Sequence, residues 1–380
     1  MIKSLLSLPA YFASLPMNEE ARTYARDIKY MLKKGRIKEA YNYLHYLTFW
    51  GMKDNHFIAK LSQMRTPYPS YTEIEVTTRC NLRCIMCEHT YWNEETRDMS
   101  FETFKKIVDG FPNLKWIGLT GIGESFLNKD FLKMLRYVKS KSVYVELYDT
   151  FFFIDEKTAR ELIEIGVDLI LASIDGATKE TYEKIRRGSD FERVINNVKT
   201  LVELKREMNS YFPRLGFHYI ISTINLKEIP HYIEMVHSIC GDQKTEILFS
   251  RVLHEFDEIQ DIFTQVPDKI VLEATKLAKE LGILIRLGRD VPKTKPPVTQ
   301  CVAWTMPFIF VTGHVVPCCV TNEANRRDFQ KRHNLGNVFE RNFNEIWHSR
   351  NYTNFREMIR AGKVPVQCIK CPIFEVDKKN

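Results

Sequence analysis

From residue 73 onward the chain alternates short β-favouring apolar runs with amphipathic segments of helical period. "EIEVTT" is followed by "FETFKKIVDGF", "WIGLTGIG" by "KDFLKMLRYVKSK", and "VYVELYDT" by "EKTARELIEIG". The alternation continues through "DLILASID", "DFERVINNVKTLVELK", "RLGFHYIIST", "KEIPHYIEMVHSIC", "TEILFSRV" and "DKIVLEATKLAKELG". Six such strand and helix units in a row predict parallel βαβ crossovers. The near-continuous apolar strands suit a sheet covered on both faces. Six units fall short of the eight that close a barrel, so the expected fold is α/β, a partial (β/α)6 barrel over residues 69–290.

Ahead of this region the period is helical throughout. Ala21, Tyr24, Ala25, Ile28, Met31 and Leu32 mark one amphipathic face that ends at Gly35, and Ile37, Ala40, Tyr41, Leu44 and Leu47 mark a second. Together they predict a helical hairpin within residues 1–68, closed by the prolines of "RTPYPS". The opening "MIKSLLSLPAYFASLP" has a short apolar stretch, interrupted by Pro9 and barely of h-region length, so secretion is the less expected reading. No run of about 18 apolar residues suggests a spanning helix. After "DVPKTKPPVTQ", which reads as a linker, residues 291–380 form a small cysteine-rich α+β unit.

Charge changes this picture at one end only. The formal net charge is +7, and residues 1–68 hold eleven Lys/Arg against five Asp/Glu. That excess suits an anionic partner or a membrane surface; a solvated helical face is the plain alternative.

Nine cysteines are too few for a disulfide scaffold in a chain this long, and their clustering reads as metal binding in a reducing compartment, which makes the expected location cytoplasmic. Cys80, Cys84 and Cys87 fall within "CNLRCIMCEH", directly after the first strand, where parallel α/β folds place active sites. Thiolates select zinc or iron–sulfur clusters. A closed zinc site needs a fourth ligand, which His89 would supply. An iron–sulfur cubane on three cysteines instead leaves one iron open for chemistry.

"CNLRCIMC", with Met86 before the last cysteine, resembles the C-x3-C-x-φ-C loop of radical S-adenosylmethionine (SAM) enzymes, built on a partial TIM-like barrel. The resemblance implies a [4Fe-4S] cluster on Cys80, Cys84 and Cys87 whose open iron is chelated by SAM, and reductive cleavage of SAM to a 5′-deoxyadenosyl radical. "LTGIGES" resembles the family's G-G-E-P segment, implying that Gly121, Gly123 and Glu124 cradle the amino end of SAM; Ser125 stands where proline is usual. "LASIDG" and the later "KIRRG" resemble its S-x-D-G segment and following arginine, implying Ser173, Asp175 and Arg186 as contacts to ribose or carboxylate. A helix N-cap is the plain alternative for Asp175, and a surface ion pair for Arg186. Where relatives have T-N-G, this chain reads "ELYDTFFF", so Tyr148 and Asp149 are positional candidates for substrate contact or catalysis, as is Arg251 after the sixth strand.

In the C-terminal unit, Cys301, Cys318, Cys368 and Cys371 would bring four thiolates to one point, with Cys319 as the alternative to Cys318; Cys240, at the end of a helix, reads as core. This unit resembles the SPASM or twitch domain, implying one auxiliary [4Fe-4S] cluster; a four-cysteine structural zinc site is the alternative. The family implies hydrogen-atom abstraction from a C–H bond, leading to oxidation, epimerisation or bond formation on a peptide or sugar-like small molecule, with a reducing electron-donor protein as partner. A lipid substrate met at a membrane surface, or a non-catalytic metal module engaging RNA, are the rival readings; nucleic acid is the less expected partner.

Overall fold

The computed structural model describes residues 19–51, 68–252, 257–287, 305–319, 321, 326–369 and 371. Cys301 and the expected linker up to residue 300 lie outside the described residues.

Seven strands run parallel and side by side in chain order: β1 (Tyr71–Ile74), β2 (Trp116–Leu119), β3 (Tyr144–Asp149), β4 (Leu169–Ser173), β5 (Arg214–Ile221), β6 (Glu246–Arg251) and β7 (Leu284–Leu287). Between them lie α3 (Phe101–Asp109), α4 (Phe131–Ser140), α5 (Glu156–Ile165), α6 (Lys179–Ile185), α7 (Phe191–Glu207), α8 (Ile229–Cys240) and α9 (Asp268–Glu280). Side chains start several of these helices: Ser100, Asp155, Thr178 and Asp190 each accept from the backbone N–H three residues on. The six strand–helix units are those of the sequence pattern. β7 is an addition: "LIRL" directly follows its helix and extends the sheet by one strand.

Side-chain alternation sorts the sheet into two unlike faces. Ile74, Ile117, Leu119, Val145, Leu147, Ile170, Ala172, Leu215, Phe217, Tyr219, Ile247 and Phe249 bury against the helices in the main core. Their alternates form a mixed face. At the strands' N-terminal ends it is apolar, with Tyr71, Trp116, Tyr144, Leu169 and Leu171. Toward the C-terminal ends it carries Glu73, Glu146, Tyr148, His218 and Ser250, all partly open to solvent. The expectation of helical cover on both faces is therefore corrected, because the two-residue alternation is masked where aromatic residues occupy both faces of one strand.

The N-terminal hairpin, α1 (Glu19–Lys33) and α2 (Ile37–Gly51), closes the N-terminal end of that second face. Gly35 turns between them at φ +73°, a conformation that disfavours a Cβ. Tyr43 stacks on Trp116 and Tyr144 with ring centroids 5.5 and 4.7 Å away. Asp27, fully buried, accepts from Tyr43 Oη (2.7 Å), Tyr211 Oη (2.6 Å) and Arg214 Nη1 (2.9 Å). Asp168 accepts from Arg36 (2.6 Å), Lys139 (2.6 Å) and the Val145 amide (2.8 Å). Some of the basic excess in residues 1–68 is thus spent inside the molecule, on Asp168 and Glu39.

The C-terminal unit extends the same sheet. β8 (Phe308–Ile309) pairs parallel with β1, and β9 (His314–Val316) and β10 (Gly336–Asn337) follow antiparallel. α10 (Arg327–Arg332), α11 (Phe343–Trp347) and α12 (Arg350–Arg360) complete the unit. Phe343 stacks on Phe111 at 4.1 Å, and α11 and α12 contribute Ile346, Trp347, Tyr352, Phe355 and Ile359 to the main core.

Candidate active site

The cysteine loop leaves the C-terminal end of β1 and is closed at its neck by two threonines. Thr77 bridges to Asp98, donating to its carboxylate at 2.6 Å, and Thr78 Oγ1 donates to Glu95 O and accepts from Arg97 N, each at 2.8 Å. Inside the loop, Cys84 sits in a two-residue antiparallel pair opposite Arg186, with Ile85 N donating to Ile185 O at 2.9 Å. Cys80, Cys84 and Cys87 come together in one apolar cluster with Leu82, Ile85, Met86, Ile185, Val252 and Ile259. Burial raises all three thiols above the ordinary range, Cys80 to about 11, and each of Cys80 and Cys87 feels the charge of Cys84. Three soft sulfurs in one apolar cluster favour a thiophilic metal that replaces their protons. For the zinc alternative, His89 places Nε2 2.9 Å from Thr78 O, and its Nδ1 is buried without a hydrogen-bond partner among the described residues.

The neighbouring loop brings Gly121, Gly123 and Glu124 to the same end of the sheet. A Cβ on Gly123 would collide with the carbonyl oxygens of Thr77 and Arg79, so only glycine lets this loop lie against the cysteine loop. Glu124 N donates to Arg79 O at 2.7 Å, while its buried carboxylate accepts from Thr150 Oγ1 at 2.7 Å and, weakly, from Phe126 N. Among the described residues no cation pairs with it, which suits an incoming ammonium group.

Asp149 is buried beside Glu124, accepts from Phe151 N at 2.7 Å, and is pushed well above the carboxylate range by burial and by Glu124. Ser173 ends β4, opposite His218 in register. Asp175 is neither an N-cap nor free for a ligand: Thr178 caps α6, and the Asp175 carboxylate takes Arg186 Nε and Ile220 N, each at 2.7 Å. Arg186 is correspondingly buried rather than on the surface, with Nη1 4.0 Å from Cys84 Sγ. Tyr148 packs edge-on against His218 at 5.3 Å. Arg251 is exposed at the end of β6.

Several polar groups of this face had no part in the motif reading. His218 Nε2 lies 2.9 Å from Ser250 Oγ, and burial together with Arg186 pushes the imidazole down to about 4, so it is neutral. Burial pushes Glu73 up to about 6 and Glu146 up to about 7. Glu73 accepts from Tyr71 Oη at 2.6 Å, and Glu146 from Trp116 Nε1 at 2.9 Å. Period-two alternation in "YTEIEV" and "VYVELYD" carried the signal for both glutamates.

In the C-terminal unit Cys368 and Cys371 share a tight turn, with Cys371 N donating to Cys368 O at 3.0 Å, and both pack against the main core. Cys318 is buried with Sγ 3.3 Å from Thr321 Oγ1, and its charge reaches Tyr352 of that core. Cys319 faces elsewhere, against Phe308, Phe310 and Val316, with its thiol donating to Glu73.

Comparison with known proteins gives this geometry its family. Residues 74–236 match the radical SAM superfamily, and residues 301–372 match an iron–sulfur cluster-binding domain, SPASM. A tungsten-containing aldehyde ferredoxin oxidoreductase cofactor-modifying protein of Pyrococcus furiosus is 30% identical over 322 residues, covering 80% of this chain and 87% of that protein. The chain belongs to the radical SAM superfamily. An AdoMet-dependent heme synthase of Methanosarcina barkeri is 25% identical over 335 residues, covering 82% of this chain and 90% of its own. Streptococcus suis SuiB bound to its precursor peptide SuiA shares the fold at a TM-score of 0.61 and 13% identity, over 88% of this chain and 75% of that one. The anSMEcpe structure with bound AdoMet shares it at 0.57 and 19% identity, over 80% and 83%. This radical SAM protein is accordingly an enzyme. Its radical SAM domain binds a [4Fe-4S] cluster and SAM, and its SPASM domain carries auxiliary iron–sulfur ligation. No helix among the described residues is long and apolar enough to cross a membrane.

Proposed function

We propose that this enzyme abstracts a hydrogen atom from a C–H bond of a small, cofactor-like molecule held against the polar face of a partial (β/α)6 barrel. The reading is carried by one observation: three thiols gathered in a single apolar side-chain cluster near a buried carboxylate, Glu124, that has no cation partner among the described residues. When bound, the cluster and SAM together supply one-electron cleavage of the sulfonium and a carbon radical at the 5′ position.

The chain's own residues do the rest. Cys80, Cys84 and Cys87 hold the cluster, with Met86 packed beside them. Glu124 accepts the SAM ammonium, and Gly121 and Gly123 let the backbone approach. Arg186, fixed by Asp175, sets positive charge beside Cys84 and would hold the SAM carboxylate, while Ser173 would hold the ribose. Asp149, whose carboxyl is pushed up by burial and by Glu124, orients Glu124. Tyr148 and the neutral His218 line the substrate side, and Arg251 stands at its rim. Cys318 rather than Cys319 joins Cys301, Cys368 and Cys371 around one auxiliary [4Fe-4S] cluster, because Cys318 lies toward the core that seats the C-x2-C turn.

Two findings favour a small molecule over a peptide. The most similar relative quoted above is named for modifying a cofactor. The described part of residues 1–68 is two helices that close the end of the sheet opposite the cysteine loop, with no strand to receive a peptide.

Anaerobic reconstitution tests the assignment. Cys84→Ala should abolish reductive SAM cleavage while iron in the SPASM domain persists; turnover of SAM at the wild-type rate would remove the three-cysteine site from the account. Cys371→Ala should spare uncoupled cleavage and lower iron content by about one cluster.

A further inference from the structure

The seam between the radical SAM domain and the C-terminal unit holds a buried cation whose hydrogen-bonding capacity is only partly used. Arg327, the first residue of α10, is 3% exposed. Its Nη2 donates to Glu75 Oε2 at 2.7 Å. That carboxylate is already supplied: Oε2 also accepts from Ile122 N at 3.1 Å, and Oε1 from Val311 N at 3.3 Å. Phe310 covers one face of the guanidinium at 4.1 Å. Arg327 Nε and Nη1 are buried and have no acceptor among the described residues.

A guanidinium carries five N–H donors in a rigid fork, and a buried donor left unmet costs about 1–3 kcal/mol. Helix tethering needs one bond to Glu75, so it does not account for the two open nitrogens. Position tells where a ligand would come from. Glu75, just past the end of β1, continues the alternation of Tyr71 and Glu73, and its Oε2 also accepts from Ile122 N in the loop of Gly121 to Glu124. Gly121 is required there, because a Cβ would collide with the Glu75 side chain. The open donors therefore lie beside Glu75, where the loop of Gly121 to Glu124 meets the C-terminal unit.

We infer that Arg327 binds an oxyanion, a carboxylate or phosphate group of the substrate, and so holds that substrate between the radical source and the auxiliary cluster. The inference rests on the proposed function for the site's identity, but it concerns a different group. A planar, permanently charged fork is the donor set that suits such a group, and the carboxyls Glu73 and Glu146 deeper on the same face have no cation partner that would compete for it among the described residues.

Anaerobically reconstituted full-length enzyme with SAM present is titrated with sodium pyrophosphate and, separately, sodium glutarate, each against sodium chloride at matched ionic strength, with thermal unfolding followed by calorimetry. One of the two anions should raise the unfolding temperature of the wild type beyond chloride, pyrophosphate pointing to a phosphate-bearing substrate and glutarate to a carboxylate. Arg327→Met leaves Glu75 buried and uncompensated, so the decisive variant is Glu75→Gln with Arg327→Met, which removes both charges at near-constant shape. It should weaken the same anion roughly tenfold or more, the worth of a charge-assisted hydrogen bond, and Arg327→Lys should fall between. An anion response equal in wild type and double variant, or none in the wild type, overturns the inference. SAM cleavage by the wild type is read in the same preparation: its presence without an anion response sinks Arg327's role alone, whereas its absence sinks the proposed function.

Discussion

A carboxyl on the polar face behaves according to what surrounds it. Glu146 sits among Trp116, Tyr148 and Glu73 with no cation partner among the described residues, and burial first, then Glu73, lifts it from 4.5 to about 7. A folded-state value above the unfolded one means the native state holds the extra proton between the two values, so stability falls as pH rises from about 4.5 to about 7. Glu146→Gln keeps an acceptor for Trp116 and removes the titration. The variant should gain about 1–2 kcal/mol over wild type at pH 7.5, with the partly solvated site keeping the effect below the full linkage value. Urea titrations at pH 5 and pH 7.5 check it; a difference between variant and wild type that does not change with pH would show that Glu146 stays ionised throughout. The motif reading passed over this residue because a single glutamate in a strand carries no chemistry until its neighbours across the sheet are known.

Elements show the same division. The stripe of Ala21, Tyr24, Ile28 and Met31 announced α1 correctly, yet the helix buries Thr23 and Asp27 most deeply alongside Met31. Asp27 can lie inside only because Arg214, at the start of β5, meets it there, and a partner 187 residues away leaves no trace in a local window. Asp168 holds the hairpin's other anchor. Asp168→Ala would leave Arg36 and Lys139 with Glu39 as their remaining carboxylate and the Val145 amide without its acceptor, and should lower stability by about 1–3 kcal/mol. SAM cleavage per folded molecule should be unchanged, because the hairpin and the cysteine loop occupy opposite ends of the sheet. Loss of cleavage in well-folded variant protein would instead tie the hairpin to the site. Gly123→Ala acts at the other end: the added methyl meets two carbonyl oxygens, so SAM binding measured by equilibrium dialysis should fall at least tenfold while the fold persists.

At the scale of the whole molecule, the C-terminal unit is built onto the sheet rather than attached by a tether. Glu73 N donates to Pro307 O at 3.0 Å and Glu75 N to Ile309 O at 2.9 Å, so β8 covers an edge that β1 would otherwise expose. α11 and α12 bury aromatic residues in the same core as the strands. Calorimetry should therefore show one cooperative transition for the full chain, and a chain ending at residue 290 should aggregate. Two well-separated transitions would mean the units fold independently. The order of strands and helices, the cysteine loop, the glycine–glutamate loop and the thiol-rich C-terminus were all legible in the sequence, because each depends on residues within a few positions of one another and on periods of 2 and 3.6. Tertiary structure alone decided which face of the sheet is polar, that Asp175 serves Arg186, that Cys319 turns toward Glu73, and that Arg327 reaches Glu75. Those outcomes join positions far apart in the chain, and burial, which sets the charge and the hydrogen-bonding needs of each group, does not exist until the chain has closed around it.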